Sequence, residues 1–116
     1  MTALYRVNLQ TANNEDLRQV FVLTDTSAQA IDLTGATLAM DIESFDGNDV
    51  LEATTANGRI VVVDAPAGRF ELAVPAAAMR ALPAGSYQHD LLLTLAGGRV
   101  HRVWAGSLTL ARGVTE

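Results

Sequence analysis

The residues best equipped for chemistry in this 116-residue chain lie in "GSYQHDLLLTLAGGRVHRVWAG", Gly85 to Gly106. That stretch holds both histidines and sets His89 beside Asp90. A histidine titrates near neutrality, so it can serve as general acid or base, and a carboxylate can orient its ring. Two histidines could also share a metal ion. Strand geometry argues against both ideas. Neighbouring residues of a strand point to opposite faces, so His89 and Asp90 do not form a dyad. If Gly97–Gly98 makes a two-residue primed turn, Ala96 faces Arg99, Thr94 faces His101, Leu93 faces Arg102 and Leu91 faces Trp104. A regular ladder then groups Tyr87, His89, Leu91, Leu93, Val100, Trp104 and Leu108 on a core face. Gln88, Asp90, Thr94, His101, Ser107 and Thr109 share the other face. The histidines fall on opposite sides and cannot cooperate, unless a bulge changes the parity. His89 reads as a hydrogen-bonded histidine at the core edge, and His101 as an exposed strand residue.

Other chemistry is no better supplied. "DIESFDGNDVLE", Asp41 to Glu52, carries five carboxylates. Their order, Asp41, Glu43, Asp46, Gly47, Asn48, Asp49, does not match the alternating oxygens and central glycine of a calcium loop. Asp41 and Glu43 read as the wet face of a strand and "DGND" as its turn. The serines of "AGSYQ" and "AGSLT" follow glycine but lack the G-x-S-x-G elbow and its strand-to-helix setting. No phosphate loop or dinucleotide fingerprint is present. With no cysteine, disulfides, thiolate zinc sites and cysteine nucleophiles are excluded. The expectation is no enzyme, no cofactor and no metal.

The elements that position these residues repeat every two positions. "LYRVNLQ" (4–10) alternates, with Tyr5, Val7 and Leu9 on one side. "TLAMDIES" (37–44) sets Leu38, Met40 and Ile42 against Ala39, Asp41 and Glu43, and "RFELAV" (69–74) sets Phe70, Leu72 and Val74 against Arg69, Glu71 and Ala73. Each reads as a half-buried strand. "VFVLT" (20–24) and "RIVVVD" (59–64) are continuous β-branched runs suited to strands covered on both faces. Turn signals separate the runs: "DGND", Asn57–Gly58, "PAG" (66–68) and Gly97–Gly98. "PAAAMRALPAG" (75–85) opens on proline, is rich in helix formers and stops at Pro83 and Gly85. It predicts a short helix between strands, with Met79 and Leu82 in the core. Short alternating strands with regular turns point to an all-β fold, an antiparallel β-sandwich spanning residues 1–116 as one domain.

Composition agrees. Half the chain is hydrophobic (49%) and 18% is charged, enough for an ordinary core. The net charge is −5, there is no lysine, and the arginines are scattered singly, which argues against nucleic acid and anionic membrane as partners. The N-terminus lacks the pattern of a secretion signal, and no apolar run reaches the roughly 20 residues that span a bilayer. Aromatic residues make up only 5% and most fall on core faces, with Tyr5 and Phe45 the exceptions, which is a thin supply for a lectin.

Both halves of the chain resemble one family. "QAIDLTGATLAMDIESFDGNDVLEA" resembles the opening of small phage and prophage tail or baseplate modules. "GRFELAVPAAAMRALPAGSYQHDLLLTLAGGRVHRVWAGSLTLARGVTE" resembles their close. The matching positions are Asp32, Leu33, Thr34, Gly35, Gly68, Gly85, Tyr87, Asp90, Gly106, Val114 and Thr115. The match, over roughly Ile31 to Glu116, is nearest to the immunoglobulin-like N-terminal module of upper baseplate proteins. It implies an immunoglobulin-like sandwich and a non-catalytic structural subunit of a virion, assembled in the bacterial cytoplasm with other virion or prophage proteins and with copies of itself. Larger members continue into fibre or receptor-binding parts, so a small connecting or accessory subunit is expected here. The alternative is a free-standing carbohydrate-binding or adhesion sandwich.

Most matching positions are structural. Gly35, Gly68, Gly85 and Gly106 suit bends or close approaches. Tyr87 suits a tyrosine corner, and Trp104 the core. The long terminal strand "GSLTLARGVT" (106–115), with Leu108, Leu110 and Val114, and the N-terminal strand are expected at the sandwich edge, where unpaired amides dock subunits.

Overall fold

A computed structural model describes residues 5–114; Leu4 and Thr115, which belong to the two expected terminal strands, lie outside that range. Two β-sheets pack face to face, as the alternating strands require. The strands are β1 (Tyr5–Arg6), β2 (Leu9–Ala12), β3 (Leu17–Val22), β4 (Thr37–Glu43) and β5 (Asp49–Thr54), followed by β6 (Ile60–Asp64), β7 (Arg69–Val74), β8 (Gly85–Thr94) and β9 (Val100–Ala111). A single turn of helix, α1 (Ala76–Met79), connects β7 to β8. Sheet A runs β1/β2–β9–β8–β4–β5 and sheet B runs β3–β7–β6. This is the immunoglobulin-like β-sandwich, built from antiparallel pairs except at the N-terminus, where β1 and β2 lie parallel to β9.

The core forms where the alternation predicts. Leu38, Met40 and Ile42 of β4 and Phe70, Leu72 and Val74 of β7 are buried, as are Leu91, Leu93 and Trp104. Met79 and Leu82 close the core beneath α1. Trp104 packs against Phe21 (ring centroids 4.6 Å apart) and Phe70 (5.9 Å), which fastens the two sheets at their centre. The Tyr87 ring is buried and its hydroxyl donates to the Pro83 carbonyl at 2.6 Å, the tie expected of a tyrosine corner. Gly35, Gly68 and Gly85 all take positive φ, of 73°, 69° and 148°.

Four sequence expectations are corrected. First, the hairpin between β8 and β9 turns on three residues, not two. Gly98 donates to the Leu95 carbonyl and Leu95 to that of Arg99, with Gly98 at φ 93°. Second, the ladder is not regular. Leu91 faces Trp104 but Leu92 faces Arg102, so Val103 is an extra residue in β9. The turn puts Thr94 opposite Val100 and Leu93 opposite His101, so Val100 is exposed and His101 lies on the inner face. Third, β9 is not an edge. It is bonded to β8 on one side and to β1 and β2 on the other, and Leu108 and Leu110 are buried in the core. Those two residues cannot form an interface; Val114 alone of the three is exposed. Fourth, β3 and β6 are covered on one face only, and both are edges of sheet B.

The N-terminal attachment explains Gly106. Tyr5 pairs with Trp104 and Leu9 with Leu108, so one register carries across Val7 and Asn8. There the chain passes so close to β9 that a Cβ on Gly106 would stand 1.7 Å from the Val7 carbonyl oxygen. The Asn8 side chain accepts from the Ser107 backbone N–H (3.2 Å) and hydroxyl (3.1 Å), replacing the main-chain bonding that the irregularity interrupts.

Candidate functional site

The bulge places side chains that a regular ladder keeps apart. With Val103 inserted, Arg102 shares the outer face of sheet A with Asp90, and its Nε lies 3.3 Å from Asp90 Oδ2. His89 points inward, 3% exposed, with its Nε2 3.0 Å from the Ser107 carbonyl and its ring edge-on to Trp104 at 6.3 Å. Burial lowers its pKa, partly offset by the Ser107 and Val7 carbonyls, so the ring is neutral at pH 7. Because the folded pKa lies below the unfolded value, His89 weakens the fold as pH falls below roughly 6.5. His101 shares the inner face, but four residues along β8 separate the positions opposite, about 13 Å. It lines a cavity of about 480 Å³ together with Asp25, Ile31 and Val103. The histidines therefore do not meet, for a reason of distance, not of face.

The outer face of sheet A is acidic. Asp41 stands directly opposite both Glu52 and Asp90, and Glu43 opposite Asp49. Asp41 is held above the usual carboxylate pKa, first by partial burial and then by Asp49, Glu52 and Asp90. Glu43 is raised too, chiefly by a hydrogen bond shared with Asp49. Among the described residues no group of three or more His, Asp or Glu is arranged to hold a metal ion. Between β1, β8 and β9 this face dips into a basin of about 330 Å³, lined by Arg6, Glu43, Gln88, Asp90 and Arg102, with Phe45 on its rim. Phe45 is strongly exposed.

Like charges directly across strands oppose folding. Changing Asp41→Asn is expected to stabilise the protein by about 0.5–1 kcal/mol at pH 7, measured by thermal or urea unfolding. A carboxyl whose folded pKa is raised penalises the fold above that pKa and gains a proton more readily in the folded state. The advantage of the asparagine should therefore shrink as pH drops through the carboxylate range. A gain that persisted unchanged at pH 3 would show that packing, not charge, is responsible.

Sheet B presents the opposite surface. Val20 and Val61 flank Glu71, and Val22 lies opposite Arg69. Val63 is the extra residue of a bulge in β6. These four valines are 51%, 46%, 51% and 56% exposed in the order Val20, Val61, Val22, Val63. Arg18 pairs with Glu71 at 3.0 Å beside them. The runs "VFV" and "VVV", expected to be covered on both faces, leave this one uncovered among the described residues.

The comparisons with known proteins speak to architecture. No family model matches the chain, and no curated protein does. Among solved structures it is similar to CopC from Methylosinus trichosporium OB3b, 13% identical at a TM-score of 0.51, over 96% of this chain and 88% of that one. The likeness is one of fold. A weaker similarity, 14% identity at a TM-score of 0.38 over 89% of this chain, links it to Drosophila OTK extracellular domains 3-5, of which it spans 32%. With sequences this far apart, sites do not transfer from those proteins to this one.

Proposed function

We propose that this protein is a non-catalytic structural subunit of a phage or prophage tail or baseplate assembly, working through protein–protein contacts. The observation that carries the reading is the valine face of sheet B. Four exposed valines, two on each edge strand of an open sheet with Glu71 and Arg69 of β7 between them, are a surface made to be covered. The resemblance of residues 31–116 to baseplate modules supplies the setting, with other virion proteins and further copies of the chain as partners. Contact runs through the exposed sheet faces and not through β9, which lies between β8 on one side and β1 and β2 on the other. The test is fractionation of tail particles from the cell that encodes the chain, followed by mass spectrometry. A structural subunit co-sediments in fixed ratio to the other particle proteins, whereas its absence from intact particles rejects the reading.

A second reading, a carbohydrate-binding sandwich, is favoured by the basin beside Phe45. Charged and amide groups converge there under an exposed ring, the combination that holds a polyol. A panel of monosaccharides should then raise the melting temperature, and Phe45→Ala should abolish the rise.

A further inference from the structure

We infer that the outer face of sheet B is an isologous interface, on which a second copy of this chain stacks about a twofold axis lying across the strands. The inference rests on the reading of the protein as an assembly subunit and names one partner and the surface it uses. It follows from the register. Glu71 and Arg69 are outward residues of the central strand, one on each side of Phe70. An axis in the plane of the interface, crossing the strands at the Phe21–Phe70–Val62 row, brings Glu71 of one copy over Arg69 of the other, and the reverse. The same operation lays Val20 over Val22 of the second copy, because those residues flank Glu71 and Arg69 on β3. Val61 likewise meets the bulge of β6 at Val63. Valines meet valines along β3, and the two central charges, Glu71 and Arg69, each meet their opposite.

Charge balance selects this face over the other. Around the valines, Arg18 and Arg69 are matched by Glu71 and Asp64, so the patch is neutral although the chain carries a net charge of −5. The outer face of sheet A sets Asp41, Glu43, Asp49, Glu52 and Asp90 against Arg6 and Arg102, and two such faces repel. Aligned sheets pack about 10 Å apart with interdigitated side chains, a spacing that valines fill without reordering long side chains.

The experiment is sedimentation velocity with light scattering on the full chain over a wide concentration range, with melting temperature recorded for every variant. The wild type should form a dimer. Glu71→Arg, which sets arginine over arginine, should weaken association at least tenfold. The exchange of both charges, Arg69→Glu with Glu71→Arg, should restore it. Val20→Thr with Val61→Thr, which preserves β-branching, should weaken it without unfolding the chain. A monomer at every concentration overturns the inference. So does an oligomer indifferent to these substitutions, which leaves the subunit reading standing on another surface. Absence of the chain from tail particles, by contrast, rejects the subunit reading whether or not the dimer forms.

Discussion

Replacing Gly106 with alanine is expected to destabilise the protein by about 3 kcal/mol and to loosen the N-terminal strands from β9. The added methyl group would lie 1.7 Å from the Val7 carbonyl oxygen and 2.6 Å from its carbon. Both are backbone atoms, so no side-chain rotation relieves the overlap; either residues 7 and 8 move outward or β9 bends. Moving residues 7 and 8 breaks the Asn8 bonds to Ser107 and the Val7 N–H bond to Ala105. It also draws Leu9 out of the core. Hydrogen exchange should report the loss in the amides of β2 before the rest of the sheet. Gly97→Ala is the control: its Cβ would meet nothing within 4 Å, so its effect should stay within about 0.5 kcal/mol. A Gly106→Ala protein that melts with the wild type, with β2 still protected, would refute the close approach.

Trp104→Ala is expected to cost about 3–5 kcal/mol, the range for removing a large buried aromatic side chain. Trp104 is packed on Phe21 and Phe70 from the opposite sheet, with the His89 ring against its edge. In antibody-type sandwiches the second disulfide cysteine lies two residues beyond the corner tyrosine. Here that position is His89, two beyond Tyr87, and the chain has no cysteine. The aromatic cluster thus has to join the sheets by packing alone. Urea unfolding followed by circular dichroism measures the loss, since the substitution removes the sole tryptophan. Val100→Ala, an exposed site on the same strand, should change stability little. A cost for Trp104→Ala below about 1.5 kcal/mol would mean that the cluster is not the central joint.

The local pattern of the chain determined much of this fold. Alternation in "TLAMDIE" and "RFELAV" marked β4 and β7 and named their buried residues, because a strand's two faces are set by its own sequence. Pro75 and the alanines after it marked α1, and Tyr87 marked its corner. What escaped was set by partners distant in sequence. "RVWAG" puts two apolar residues, Val103 and Trp104, side by side. Only their fit against Leu91 and Leu92 shows that one residue is inserted, an insertion that reverses the face of His101 and joins Arg102 to Asp90. Nothing local to β9 says that β1 and β2 will cover its far side in parallel and turn an expected edge into an interior strand. The β-branched runs of β3 and β6 pointed to strands covered on both faces, and the valines of one face are exposed instead. Tertiary structure decided that the chain itself covers one, because a sheet in a two-layer sandwich meets its partner sheet on a single side.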